Sequence, residues 1–323
     1  MRKNLFLVKI LILFLILFWI VKSVNLSETL TVLAKTNPLY FFIALFLNNL
    51  SNLFLTIKWY KLAYPLKIKS SFMDLLKLNY ISVFYSLFVP GQSSGELIKG
   101  LKLLKKEGSH QKAWVPIFID KITNLLVMFV IGFVGIFYDE RLRKNNILLL
   151  LVSLLTLCTF ITTIILFSEK TNKIVHFAKK GILKVLKLFK IKNDSVEVFS
   201  LSYLEHYKKN DKLIFETMFW SVLTKLPHLF AFYFLALSLK MNLTLIECSW
   251  LYVIIFLASI LPISFAGLGV REGTILLSLS QLGISNSTSL SYSMLIFTNG
   301  IIIGLIGGLI EIFSTLKSSS KTS

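Results

Sequence analysis

Residues 71–107 read SFMDLLKLNYISVFYSLFVPGQSSGELIKGLKLLKKE. Residues 71–89 form one apolar run. Residues 90–96 break it with Pro-Gly-Gln-Ser-Ser-Gly-Glu, and Lys99, Lys102, Lys105 and Lys106 follow, with Lys112 just beyond. On the upstream flank stand Lys58, Lys61, Lys67 and Lys69. Lysine-dense short loops belong on the cytoplasmic side. Two cytoplasmic loops need an even number of crossings between them, yet only one strong apolar run is available. A re-entrant hairpin resolves the count: the chain enters along 71–89, turns at Pro90-Gly91 and returns along 94–107. Broken backbone inside a membrane is tolerated only where protein shields it or where it lines a polar cavity.

Working upstream, a span over roughly 38–57 carries Asn48, Asn49 and Asn52, and an apolar run reaches from 5 to 22. Behind Met1-Arg2-Lys3-Asn4, with no small-residue cleavage site, that run reads as an uncleaved first helix starting in the cytoplasm. Downstream, 113–137 is a long span with Asp120 and Lys121 in its first turns, and 147–167 is the next. The loop 138–146, with two acids among three basic residues, suits the outside. The stretch 168–211 is a basic cytoplasmic loop. Ile174, Phe177, Ala178, Ile182, Val185 and Phe189 fall at helical spacing opposite Lys173, Lys180, Lys184 and Lys187, which predicts an amphipathic interfacial helix.

A span over 212–238 contains Glu216, Lys225, Pro227 and His228. The apolar run 250–260 then covers about 16 Å of helix, half a bilayer. It stops at Leu261-Pro262-Ile263-Ser264-Phe265-Ala266-Gly267-Leu268-Gly269-Val270-Arg271-Glu272-Gly273, and a short run, 274–283, follows. This is a second broken helix, entering from the outside. A last span, 290–313, leads to a flexible cytoplasmic tail over 317–323. Broken segments in corresponding positions of two halves point to a transporter built from inverted repeats.

Composition agrees. Of 323 residues, 55% are apolar and only 16% charged, against roughly 25% charged in a soluble domain; mean hydropathy is +0.75. This excludes a soluble enzyme, a disordered chain and a disulfide-stapled domain. The net charge of +19 would suggest nucleic acid in a soluble protein, but here positive-inside loops account for it and no nucleic-acid partner is expected. Cys158 and Cys248 stand alone in apolar segments, and no Cys/His spacing suits a metal. Gly267, Gly269 and Gly273 miss the dinucleotide fingerprint, and no Walker lysine motif is present, so no cofactor is expected.

The candidate site follows from the breaks. Restarted helices present free N–H groups and the positive end of a dipole, which suit an anion. Ser93, Ser94, Gly95, Gly267 and Gly269 would bring backbone N–H groups to a phosphate, with Lys99 and Arg271 as counter-charges. Ser93-x-x-Glu96 also reads as a capping box. Arg271 is one of four arginines against 31 lysines, which suggests a need for the planar fork; an ion pair with a buried acid is the alternative. Asp120 shares a face with Asn124 and could pair with Lys99 or Arg271. Glu272 completes the second motif.

Pro90-Gly91 leading to Gly95-Glu96-Leu97-Ile98-Lys99, Ile119-Asp120-Lys121, and Leu261-Pro262-Ile263-Ser264 with Gly267-Leu268-Gly269-Val270-Arg271-Glu272-Gly273 resemble the flippase-like membrane family. That family is typified by the transmembrane domain of lysylphosphatidylglycerol synthase, the multiple peptide resistance factor. Family members more often carry Arg at the position of Lys99 and Asp-Arg where this chain has Asp120-Lys121. The synthase also has a large aminoacyl-transferase domain that these 323 residues do not include, so synthesis of aminoacylated lipid is not expected.

The expectation is therefore an all-α integral membrane protein over residues 1–316, with about seven to eight membrane helices including two re-entrant hairpins, in a bacterial or archaeal cell membrane. The resemblance implies translocation of a phosphate-bearing lipid head group, either an aminoacylated phospholipid or a polyprenyl-phosphate-linked sugar. The alternative is a membrane-embedded glycosyl- or aminoacyl-transferase, with Asp120 or Glu272 as acid or base, or its non-catalytic partner subunit. The expected partners are membrane lipid, a separately encoded lipid-modifying enzyme and a second copy of the chain.

Overall fold

The computed structural model describes residues 25–88, 94–144, 146–167, 207, 210–260 and 268–319. Among them the regular structure is helical, with no strand. The run 5–22, the turn at Pro90-Gly91, the break at 261–267 and nearly all of the amphipathic loop lie outside the described residues. The helices are α1 (Leu26–Ala34), α2 (Pro38–Ala63, continued by a 3-10 turn, Tyr64–Leu66), α3 (Phe72–Phe88), α4 (Ser94–Glu107), α5 (His110–Tyr138), α6 (Glu140–Arg143), α7 (Asn146–Phe167), α8 (Asp211–Ser238), α9 (Leu245–Ile260), α10 (Val270–Ser280) and α11 (Asn286–Ser319).

Five described stretches are long and apolar enough to cross a bilayer: Pro38–Leu66, His110–Tyr138, Ile147–Ile165, Lys212–Ser238 and Asn286–Ser314. Their starts follow from capping chemistry. Asn37 accepts the Leu39 N–H at 3.0 Å ahead of Pro38, whose missing N–H costs nothing in a first turn. Ser109 and Asn210 cap α5 and α8 in the same way, accepting the N–H groups of Lys112 and Leu213.

One boundary corrects the sequence reading. The second span does not stop at 57 with Lys58 as a loop marker. Helix α2 continues through Lys58 to Ala63, and Lys58 is fully buried. A partner on α5 neutralises it, so its charge does not end the span.

Contacts define two ends of the bundle. At one end Lys106 meets Asp74 at 2.8 Å, Lys61 meets Glu216 at 2.9 Å and Lys112 reaches the Lys67 carbonyl at 3.2 Å. Glu107 accepts from Ser70 and from the Lys69 N–H. These contacts gather the end of α2, the start of α3, the end of α4, and the starts of α5 and α8. At the opposite end the Asn37 N–H donates to the Ser238 carbonyl at 2.8 Å, and Ser287 donates to Glu28 at 2.9 Å. There Arg141 bridges Asp139 and Glu247, and the Trp250 indole donates to Asp139 at 3.1 Å.

Helices α3 and α4 thus leave and return at the same end, while α9 starts from the opposite end. Both pairs lean on α11. Gly304, Gly307 and Gly308 let α3 approach closely, and a Cβ at Gly307 would run into the Tyr80 carbonyl. In a membrane such small-residue contact drives helix association, since lipid is as apolar as leucine. Gly95 does the same between α4 and α3, where a Cβ would meet the Ser82 carbonyl. Higher on α11, Ser293 and Phe297 receive α10 through Arg271. The contact points of α10 and α3, Phe297 and Gly304, are about 10 Å apart along the α11 axis. The largest apolar core, including Ile136, Leu235, Trp250, Leu251 and Tyr292, fills the end away from the lysines. Smaller cores around Trp59 and Leu103, and around Leu62 and Tyr207, close the lysine-rich end.

Candidate functional site

A cleft of about 500 Å³ opens between α2, α3, α4, α5, α8, α9 and α11, and its lining mixes apolar side chains with many polar and charged ones. Two hollows at the lysine-rich end, around Tyr60, Tyr64 and Pro65, gather no comparable set of buried polar groups.

One wall is an ion pair. Lys58 Nζ lies 2.8 Å from Asp120 Oδ1, and also donates to Thr123 Oγ1 at 2.8 Å and Asn124 Oδ1 at 3.2 Å. Asn124 donates back to Asp120 at 3.0 Å, the contact expected between residues one helical turn apart. Asp120 therefore pairs with Lys58, rather than with Lys99 or Arg271. The sequence offered no signal for this partner, which lies 62 residues away.

Lys99 stands beside this pair. It is 4% exposed, and its ammonium sits 3.5 Å from the centroid of the Trp59 ring. The ring face attracts it as a cation–π contact. Among the described residues Lys99 forms no ion pair. Glu96, one turn earlier on α4, is occupied by Lys121 at 2.9 Å. Ser94 and Gly95, at the start of α4, are buried beside them.

The remaining walls carry amides and aromatic rings. Asn48 donates to Asn299 at 2.7 Å, and Asn79 donates to Thr56 at 2.8 Å. Ser51 donates to the Thr224 carbonyl on α8 at 2.7 Å. On the far side His228, Phe232 and Tyr252 pack ring against ring at 5.3–5.7 Å, with Lys225 at 3.5 Å from the Tyr252 hydroxyl. Lys225 and His228 join the cleft lining from α8, and an ionisable group inside a span is the sequence signal that marks such positions.

The second motif forms its own cluster. Arg271 pairs with Glu272 and is 3.2 Å from Ser293 Oγ, with its guanidinium 4.8 Å from the Phe297 ring centroid. The other Glu272 oxygen accepts the Gly269 N–H at 2.6 Å, and Gly269 has φ 80°, a conformation that favours glycine. Of the sequence-derived candidates, Gly95, Glu96, Lys99 and Asp120 line the cleft. Gly269, Arg271 and Glu272 sit together beside α11, outside that lining. Ser93 and Gly267 lie outside the described residues.

This arrangement can hold an anion at Lys99 and hydroxyl groups along the amide wall, with little charge left on its carboxylates. Among the described residues no three His, Cys, Asp or Glu side chains converge as a metal site would require.

Comparison with known proteins agrees with a lipid-membrane setting. The family model described as the lysylphosphatidylglycerol synthase TM region matches residues 6–308. The UPF0104 membrane protein MJ1595 of Methanocaldococcus jannaschii is 24% identical over 305 residues, covering 88% of this chain and 88% of that protein. The UPF0104 membrane protein PH1989 of Pyrococcus horikoshii is 19% identical over 316 residues, covering 91% of this chain and 92% of its own. The chain belongs to the lysylphosphatidylglycerol synthase TM region family, and is a multi-pass, all-α membrane protein with a lipid-related role.

Proposed function

We propose that the protein moves the phosphate-bearing head group of a membrane lipid between leaflets, with the head group passing through the polar cleft and the tails remaining in the bilayer. The observation that carries this reading is Lys99, a buried ammonium facing the cleft with no ion pair among the described residues. Placing a lysine at membrane depth costs about 2.5–3.5 kcal/mol on insertion scales. A paired lysine such as Lys58 has a structural reason to be there. Lys99 has the Trp59 ring and the nearby carboxylates of Asp120 and Glu96, each of which is already paired with another lysine, and a phosphate would supply a counter-charge of its own.

In this reading α3–α4 and α9–α10 are re-entrant hairpins from opposite sides, and the lysine-rich end is cytoplasmic. Their contacts with neighbouring stretches of α11 support bringing the last turn of α3 and the first turn of α10 near one another. Arg271, held by Glu272, would brace the second break and act on the phosphate at most indirectly.

A transferase is supported less well. Asp120 is engaged by Lys58 and Asn124, and Glu272 by Arg271 and the Gly269 N–H. Neither carboxylate is free to act as acid or base. Reconstitution in liposomes with a head-group-labelled phospholipid tests the reading. Labelled head group should change leaflets unaltered; recovery of a chemically modified lipid would favour the transferase.

A further inference from the structure

The charges and amides around the cleft restrict what it can accept. Glu96 and Asp120 are the two carboxylates in its lining, and each is neutralised by a lysine, Lys121 and Lys58. Lys99 and Lys225 also line it and form no ion pair among the described residues. The cleft therefore keeps a surplus of positive charge, which attracts a phosphate and repels an ammonium group.

The amide wall adds a second restriction. Asn79 is 1% exposed and lines the cleft, and its Oδ1 has no hydrogen-bond partner. Asn48 Oδ1 and Asn299 Nδ2 are likewise without partners behind their mutual bond. Asn48, Asn52 and Asn79, with Ser51, Ser82 and Ser86, line the cleft, so this wall combines amide and hydroxyl groups that can donate and accept. A hydroxyl group both donates and accepts, so a polyol can satisfy such a set, whereas an ammonium can only donate. His228, Phe232 and Tyr252 also line the cleft and pack ring against ring, adding aromatic surface of the kind on which the C–H face of a sugar rests.

We infer that the head group taken by this cleft is a phosphate ester of an uncharged polyol or sugar, and that an amine-bearing, aminoacylated head group is refused. The inference rests on the cleft receiving a lipid head group, as proposed above, and narrows its chemical class. Phosphate lies against Lys99 and Lys225, and the hydroxyl groups lie against Asn79 and Asn48.

Equilibrium binding to the full chain in neutral detergent tests it with three probes: dioctanoyl phosphatidylinositol, dioctanoyl lysyl-phosphatidylglycerol and free inositol 1-phosphate. The inositol lipid should bind at least tenfold more tightly than the lysyl lipid. Lys225→Glu should reverse the order, raising lysyl-lipid affinity while lowering that of the inositol lipid. Asn79→Leu should weaken the inositol lipid selectively. If that variant does not fold, the Lys225→Glu reversal and the wild-type ratio still decide. Equal affinities, or tighter binding of the lysyl lipid to the wild type, overturns the inference. If free inositol 1-phosphate binds as tightly as the lipid, the polyol-phosphate class stands and the lipid-translocation reading fails.

Discussion

Lys58 and Asp120 form an ion pair of 2.8 Å between α2 and α5, with the lysine side chain wholly buried. The pair holds together two long helices at the polar centre of an apolar bundle, and removes one acid from the cleft. Breaking one side of such a pair typically costs about 3–5 kcal/mol, because the remaining charge stays buried. Lys58→Met and Asp120→Leu should each lower the thermal midpoint in detergent sharply, and the double variant should recover most of the loss. Additive losses would mean that the two residues do not act as a pair.

The Arg271–Glu272 pair makes a parallel expectation with a different readout. Arg271→Ala and Glu272→Ala should each destabilise by about 3–5 kcal/mol, and the double change should regain stability and translocation together. Gly269→Ala should add a separate cost of about 1–2 kcal/mol, since its φ of 80° is unfavourable for a residue with a Cβ. A double variant that regains stability but not translocation would give Arg271 a direct part in handling the phosphate.

Much of this architecture is legible in the residues, and what is not has a physical cause. The segments 71–89 and 94–107 correspond to α3 and α4 within a residue at either end, because a cluster of Pro, Gly and Ser between two apolar runs breaks a helix where a lone Pro such as Pro116 or Pro227 does not. Lys58 was misassigned because a lysine following an apolar run looks the same whether it ends a span or finds a partner within one. The partner is 62 positions away, and no local spacing reveals it. The Arg271–Glu272 contact is the ion pair with a buried acid that the sequence leaves open as the alternative for Arg271, although spacing alone does not single out Glu272. Adjacent helix positions do not face each other, yet the long arginine side chain folds back to its neighbour. The amide wall draws on α2, α3 and α11, so only the packing assembles it.

Acid should weaken the end opposite the lysines. Burial pushes the Asp139 carboxyl up, but the Arg141 guanidinium and backbone N–H and the Trp250 indole outweigh it and hold it below its ordinary value. A depressed carboxylate stabilises the fold fully above its unfolded value of about 3.9, and that contribution is lost as pH falls through the lower folded value. The thermal midpoint should therefore stay level above about pH 5 and fall below about pH 4. Asp139→Asn should lower the plateau and flatten the acid limb. An unchanged acid limb would remove Asp139 as its cause.

The two lysine-rich segments should react with reagents from the same side. In a background lacking Cys158 and Cys248, single cysteines at the exposed positions Lys67 and Lys105 should both label from the cytoplasm, and one at Lys144 from outside. Opposite-side labelling of Lys67 and Lys105 would contradict the α3–α4 hairpin.

The initial rate of head-group movement in liposomes carrying matched amounts of wild type and Lys99→Gln bears most directly on the function. The substitution removes the cleft's buried ammonium but leaves the Lys58–Asp120 pair, so thermal midpoints should nearly coincide. The account predicts at least a tenfold lower rate, a barrier increase of about 1.4 kcal/mol, with Lys99→Arg retaining most of the activity. A Lys99→Gln rate equal to wild type, at equal insertion, would contradict it.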